Sequence, residues 1–184
     1  MLNIDPEARA EIVRLVAQVL STSALLEHLE LASLIQRGEK EQAETLIVSL
    51  KESQVEGLKT CIMSLSEDLF AYDTENAIFK KIAGLRRLEN LNLAGNSFDT
   101  DKTEMLLRQI LSEGFAPELK CLNVADSLTF GADDPLNLLA KAVESIPQLH
   151  DVNIDWSKRG ETRIKLDVQR SLEKDRSIVG IIDA

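Results

Sequence analysis

Between Leu88 and Phe98 the chain reads L-E-N-L-N-L-A-G-N-S-F, with apolar residues at Leu88, Leu91, Leu93 and Phe98 and with Asn96 between the last two. Leu58, Cys61, Met63 and Ser66 repeat this lattice thirty residues earlier. Leu119, Leu122, Val124 and Ser127 repeat it thirty-one residues later, and Leu149, Val152, Ile154 and Ser157 a further thirty on. Residues two apart share one side of a strand, so Leu91/Leu93, Leu122/Val124 and Val152/Ile154 predict short strands with one apolar side. Between strands the apolar spacing widens to three and four, as in a helix. Ile78, Phe79 and Ile82 form one such set, and Met105, Leu106, Ile110 and Leu111 the next. Leu136, Leu139, Ala142 and Val143 form a third, and Ile164, Val168 and Leu172 a fourth. Asp99 or Asp101 is placed to cap the second helix, and Asp133-Asp134-Pro135 to open the third. Val179, Ile182 and Ala184 return to the lattice, so the chain is expected to stop on a fifth strand. A strand at a sheet edge invites pairing with another chain.

The first fifty-odd residues show helical spacing only. Asp5-Pro6-Glu7 combines a capping side chain, proline at the first helical position and an acid at the positive dipole end. Ile12, Leu15, Val16, Val19 and Leu20 are expected on the buried face of that helix. A second helix is expected to carry Leu25, Leu26, Leu29 and Ile35 and to end at Gly38. A third starts near Glu39 and carries Ala43, Leu46, Ile47 and Leu50. The expected division is a helical cap over residues 1–54 and about four repeats plus a last strand over 55–184. No Pro/Gly/Ser-rich linker separates them, so one continuous domain is expected.

Self-similarity at this period marks stacked repeats. Residues 55–184 resemble the leucine-rich repeat family, in particular the ribonuclease-inhibitor-like members with long repeats. The resemblance implies an α/β solenoid, a right-handed horseshoe segment with parallel strands lining a concave side, and a cap over the first repeat. In that family the Asn96 position is usually Asn or Cys, whose side chain satisfies backbone groups left open by a turn. Ser66, Ser127 and Ser157 depart from that pattern.

The residues between the apolar positions are expected on the concave side. One column is Thr60, Asn90, Cys121 and Asp151; the central one is Ile62, Asn92, Asn123 and Asn153. Ser64, Ala94, Ala125 and Asp155 follow, then Leu65, Gly95, Asp126 and Trp156. This surface is small, polar and acidic towards its C-terminal end. Asn90, Asn92, Cys121, Asn123, Asp151, Asn153, Asp155 and Trp156 are therefore the candidate partner-binding residues. Trp156 is the candidate anchor, because tryptophan is enriched where binding energy concentrates. Ordinary solvated strand residues would give the same columns, and Trp156 fits equally well buried against the last helix.

Composition narrows the partner. Aromatic residues make up 4% of the chain, so an aliphatic core is expected, and the net charge is −10. Nucleic acid and anionic membrane surfaces reward a basic face, so neither is expected. No apolar run reaches the length of a membrane span, and Met1–Pro6 lacks the features of a secretory signal. Cys61 and Cys121 lie two repeats apart on opposite sides of their strands, about 10 Å at normal strand spacing. That rules out a disulfide between them and suits a reducing, cytoplasmic setting. His28 and His150 hold no metal-ligand spacing, and no phosphate loop, nucleophile elbow or zinc-protease helix occurs. Asp99 and Asp101 are too few for calcium. Arg86-Arg87 and Lys158-Arg159 read as solvated positions. The expectation is a non-enzymatic, monomeric module with no cofactor and no metal, binding a protein partner through the concave face and the acidic loops beside it. Short repeat proteins delivered by intracellular bacteria into host cells are similar in kind. The resemblance also admits a small-GTPase activator of the Ran type, with Arg159 as its arginine. Residues 154–175 (I-D-W-S-K-R-G-E-T-R-I-K-L-D-V-Q-R-S-L-E-K-D) resemble the last repeat of tropomodulin-type actin-capping proteins.

Overall fold

The computed structural model describes residues 5–36, 38–110, 115–129, 141, 146, 148–158, 162–169 and 181–183. The elements run α1 (Pro6–Thr22), β1 (His28–Glu30), α2 (Lys40–Glu52), β2 (Thr60–Ile62), α3 (Glu67–Tyr72), α4 (Ala77–Ala83), β3 (Asn90–Asn92), α5 (Thr100–Ile110), β4 (Cys121–Asn123), β5 (Asp151–Lys158), β6 (Thr162–Gln169) and β7 (Ile181–Asp183). The strands make one sheet in chain order. β1 to β5 are parallel, while β6 and β7 are added antiparallel. The fold class is α/β, with helices joining β1 to β2, β2 to β3 and β3 to β4.

α1 begins as its sequence requires: the Asp5 carboxylate accepts the Ala8 N–H at 3.4 Å, and Pro6 takes the first turn. Its buried face differs from expectation. Val13, Leu20 and Arg9 are buried, whereas Ile12, Leu15 and Val19 are exposed. α1 packs mainly on α2 at the open end of the sheet, so only one flank of its broad apolar stripe finds a neighbour. Arg9, 4% exposed, places Nε 3.1 Å from Glu39 Oε1 and ties α1 to the start of α2.

The helix expected over Leu25–Gly38 is instead a strand and a turn. His28–Glu30 pairs in parallel with Thr60–Ile62, and the Leu31 N–H reaches the Ile62 carbonyl at 2.8 Å. Leu26, Leu29, Leu31 and Leu34 (L-E-H-L-E-L-A-S-L) thus repeat the lattice thirty-two residues before Leu58, Cys61, Met63 and Ser66. The parallel ladder starts at residue 28, inside the segment expected to be a helical cap. α2 lies where expected and buries Ala43, Leu46 and Leu50.

Each of the first four units turns in the same way. Ser33, Leu65, Gly95 and Asp126 hold left-handed φ of 53°, 52°, 70° and 53°. Leu34, Ser66, Asn96 and Ser127 follow them, and the last three are buried. The Asn96 Oδ1 accepts the Ser66 N–H at 2.7 Å, while its Nδ2 donates to the carbonyls of Met63, at 2.9 Å, and Leu93. The Ser127 hydroxyl accepts the Asn96 N–H at 3.1 Å and donates to the Leu93 carbonyl. Ser66 Oγ donates to the Leu31 carbonyl at 3.1 Å. Buried backbone groups are thus satisfied from unit to unit, and serine does so with fewer bonds than asparagine.

One band of apolar side chains runs from Val13 to Val152. It is mainly aliphatic; Phe115 is one aromatic member, and Phe70, Phe79 and Phe98 meet with ring centroids 4.9, 5.3 and 5.4 Å apart. Beside them Asp73, 2% exposed, opens α4 by accepting the Ala77 and Ile78 N–H groups at 2.8 and 2.9 Å. Asp99 caps α5 through the Lys102 N–H at 2.8 Å.

The C-terminal part departs most from expectation. Ile164 and Val168 lie in strand β6, not in a helix, and β6 pairs antiparallel with β5 from Asp151↔Gln169 to Lys158↔Thr162. The sequence T-R-I-K-L-D-V-Q alternates apolar and polar residues, as a strand does. β7 does form around Ile182, but antiparallel on β6 rather than parallel on β5. The helix expected from Leu136 to Val143, together with Leu111, Leu172, Val179 and Ala184, lies outside the described residues.

Candidate protein-binding face

Parallel register fixes which side chains share a side of the sheet. Leu29, Cys61, Leu91, Leu122 and Val152 are partners across β1 to β5, and all are buried against the helices. Pleating turns the flanking residues the other way. One flanking column is His28, Thr60, Asn90, Cys121 and Asp151; the other is Glu30, Ile62, Asn92, Asn123 and Asn153. Six of the eight candidate residues, Asn90, Asn92, Cys121, Asn123, Asp151 and Asn153, line one groove of about 260 Å³, with Thr60 and Ile62 at its N-terminal end. Asp155 and Trp156 are placed by backbone register only, opposite Lys165 and Ile164. Their side chains, and hence the exposure of Trp156, lie outside the described residues.

Hydrogen bonds orient the asparagines. Asn92 Oδ1 accepts the Ala94 N–H at 3.0 Å, and Asn123 Oδ1 accepts the Ala125 N–H at 3.1 Å. Each amide oxygen is therefore occupied by its own turn, which leaves the two Nδ2 protons for the groove. Asn90 Nδ2 lies 3.5 Å from Thr60 Oγ1. Asn153 Oδ1 is buried without a hydrogen-bond partner. The floor thus presents amide donors on neighbouring strands, at a spacing of about 4.8 Å.

Charge stands at the ends of this floor, with Asp151 itself in the groove lining. Asp126 and Asp151 are exposed at the C-terminal side and Glu30 at the N-terminal side, so the acidity flanks both ends. A column that the sequence reading missed lies one residue before each strand: Glu27, Lys59, Glu89, Lys120, then His150. Lys59 Nζ meets Glu27 Oε1 at 2.9 Å, and Lys120 Nζ meets Glu89 Oε2 at 2.6 Å. These contacts hold the carboxyls of Glu27 and Glu89 below their ordinary range and the Lys120 ammonium above its own. The readable signal was a sign that alternates at a fixed offset from the lattice.

The two thiols sit on opposite sides of the sheet, two strands apart, and both are free. Burial pushes Cys61 up to about 12. Burial, and then the Asp151 charge, raises Cys121. The Cys121 thiol at the groove is therefore a weak nucleophile at neutral pH.

Among the described residues no three His, Cys, Asp or Glu side chains come together as a metal site, and no helix is long and apolar enough to cross a membrane. Arg159, the arginine of the GTPase-activator reading, lies outside the described residues. The tropomodulin likeness required a charged helix where β6 stands. Comparison with known protein families, curated proteins and solved structures finds no match for this chain.

Proposed function

We propose that the chain is a leucine-rich repeat solenoid that serves as a non-catalytic interaction module and holds a partner protein on the open strand face. The observation that carries this reading is the groove of Asn90, Asn92, Cys121, Asn123, Asp151 and Asn153. Its amide oxygens are satisfied internally at Asn92 and Asn123, so its donors are left over for a ligand. A polypeptide carries a carbonyl acceptor on every residue, and donors repeated on adjacent strands suit an extended segment lying across them. The acids at both ends favour a partner with basic residues on either side of that segment. Two unpaired thiols, one of them in the groove, are consistent with a reducing compartment, in the chain's own cell or in a host cell.

The test is a paired capture from lysate with wild type and Asn123→Arg, each verified as folded by circular dichroism. Lys40→Ala, on the exposed side of α2, serves as the control. The expected result is a partner held by wild type and by Lys40→Ala but lost by Asn123→Arg. Equal capture by all three proteins would remove the strand face as the site.

A further inference from the structure

The loops that lead into β1, β2 and β3 enclose a second groove, of about 510 Å³, that shares no lining residue with the strand-face groove. Leu25, 91% exposed, lines it together with Arg86 and Arg87. Gly57 and Gly84 add lining without side chains.

Most cationic side chains described elsewhere are already engaged. Among the described residues, Arg9 pairs with Glu39, Arg14 with Glu11 and Arg108 with Glu104. Lys40, Lys51, Lys59 and Lys120 each meet a glutamate, and Lys80, Lys81 and Lys102 reach backbone carbonyls. Of the arginines whose side chains are described, Arg86 and Arg87 have no carboxylate within 4.0 Å. Both are exposed. Of the two acids in the lining, Glu27 is already engaged by Lys59 at 2.9 Å, and Arg87 reaches it only at longer range. The groove therefore holds two guanidinium groups outside any ion pair, Arg87 acting at longer range on Glu27 and Glu89, beside one carboxylate outside any ion pair, Glu56, within a chain of net charge −10.

We infer that this groove is a second docking site, one that takes an acidic peptide segment of a partner protein. A carboxylate of the segment bridges Arg86 and Arg87, and an adjacent apolar side chain packs on Leu25. Guanidinium pairs carboxylate in a planar, two-point geometry, and two of them at one site suit a single acid. Nucleic acid is disfavoured, because its affinity comes from many phosphate contacts and the rest of the chain repels a polyanion. The site is independent of the strand-face reading.

The test starts from random twelve-residue peptides displayed on phage and selected against the whole chain. The selected sequence is then made with a fluorescent label, and its affinity is read by anisotropy. The expected sequences carry Asp or Glu beside Leu, Ile or Phe. Binding should weaken about ten-fold, as at a hot spot, in Arg86→Ala/Arg87→Ala. It should also weaken in Leu25→Ser and when the peptide's acids are replaced by their amides. Lys40→Ala/Arg108→Ala removes the same charge elsewhere and should bind as wild type does, as should Asn123→Arg. Selection of nothing, selection of acid-free peptides, or equal loss in the two double variants would overturn the inference. So would binding of a single-stranded oligonucleotide that depends on Arg86 and Arg87, or a dimer of the chain, seen by sedimentation, that Arg86→Ala/Arg87→Ala abolishes.

Discussion

Strands β4 and β5 start from matching sequences, Lys120-Cys121-Leu122-Asn123-Val124 and His150-Asp151-Val152-Asn153-Ile154, and they pair in register. β4 stops at Asn123, whereas β5 runs on to Lys158. After β4 the amide oxygen of Asn123 takes the Ala125 N–H, Asp126 goes left-handed, and buried Ser127 closes the turn against Asn96 and Leu93. After Asn153 the corresponding residues, Asp155, Trp156 and Ser157, stay extended and pair with Lys165, Ile164 and Arg163. Asn153 Oδ1 then has no turn N–H to accept and is left buried without a partner. Tryptophan is costly at positive φ and favoured in strands. Trp156 therefore selects the strand, and the alternating residues of β6 supply a partner for it. The lattice determines where a strand starts and what it pairs with; the three residues after it determine where it ends.

The comparison breaks most severely at the shared apolar register. Leu122, 3% exposed, replaced by Asp would bury a charge among aliphatic side chains, at a cost of more than about 4 kcal/mol. Loss of the cooperative melting transition is the expected outcome. Asn123→Arg, one residue away on the open side, should leave the melting temperature within a few degrees of wild type. Equal losses from the two substitutions would mean that the pleat assignment of β4 is wrong.

The turns come next. Asn96→Ala removes the acceptor for the Ser66 N–H and the donors to Met63 and Leu93, and should cost about 3 kcal/mol in urea denaturation. Ser127→Ala, which strips one acceptor from the Asn96 N–H and one donor from Leu93, should cost about 1–2 kcal/mol. Ser157→Ala, at the same place in the lattice but inside β5, should cost less than about 0.5 kcal/mol. A Ser157 cost equal to that of Ser127 would place a turn at Ser157 and remove the difference between the two strands.

The sequence carries these distinctions unevenly. Four strands, α1, α2 and the caps at Asp5 and Asp99 follow from spacing, because the residues that specify each are close together in the sequence. β1 was misread because L-L-E-H-L-E-L satisfies a helical spacing through Leu25, Leu26 and Leu29 and a strand spacing through Leu29 and Leu31. Only pairing with β2 decides between them. β6 was misread because Ile164 and Val168 are four apart, which both periods allow; Leu166 between them was the deciding residue. The groove columns were legible, since register follows directly from the repeat length. The orientation of each asparagine was not, because it depends on a backbone N–H two residues further on. The groove at Arg86 and Arg87 draws on three loops, about thirty residues apart, and no local pattern announces it.

Charge gives smaller handles on the same comparison. The carboxyl of Glu89 is held low by Lys120, so its contribution is complete above its ordinary value near 4.5 and is lost as pH falls through the lowered one. The Lys120 ammonium is held high, so its share is present below 10.5 and fades only as pH rises beyond that. Glu89→Gln should therefore melt below wild type at pH 7, with the gap closing towards pH 2. A gap that does not change with pH would show that packing, not the ion pair, separates the two proteins.

The finest test concerns the place where this column stops alternating. Glu27, Lys59, Glu89 and Lys120 alternate in sign, and the backbone N–H groups of Lys59, Glu89 and Lys120 each donate to the carbonyl of the residue before them in the column; His150 continues that ladder, its N–H donating to the Lys120 carbonyl at 3.0 Å. At this fifth position, where β5 begins to differ from β4, no acid is supplied. His150→Glu would complete the alternation beside Lys120. A surface pair of this kind contributes little, so a rise in melting temperature of about one degree is expected at pH 7, with none at pH 2. A fall in melting temperature instead would mean that half-buried His150 owes its place to packing at the start of β5, and that the unlike behaviour of the two strands begins before Asn153 rather than after it.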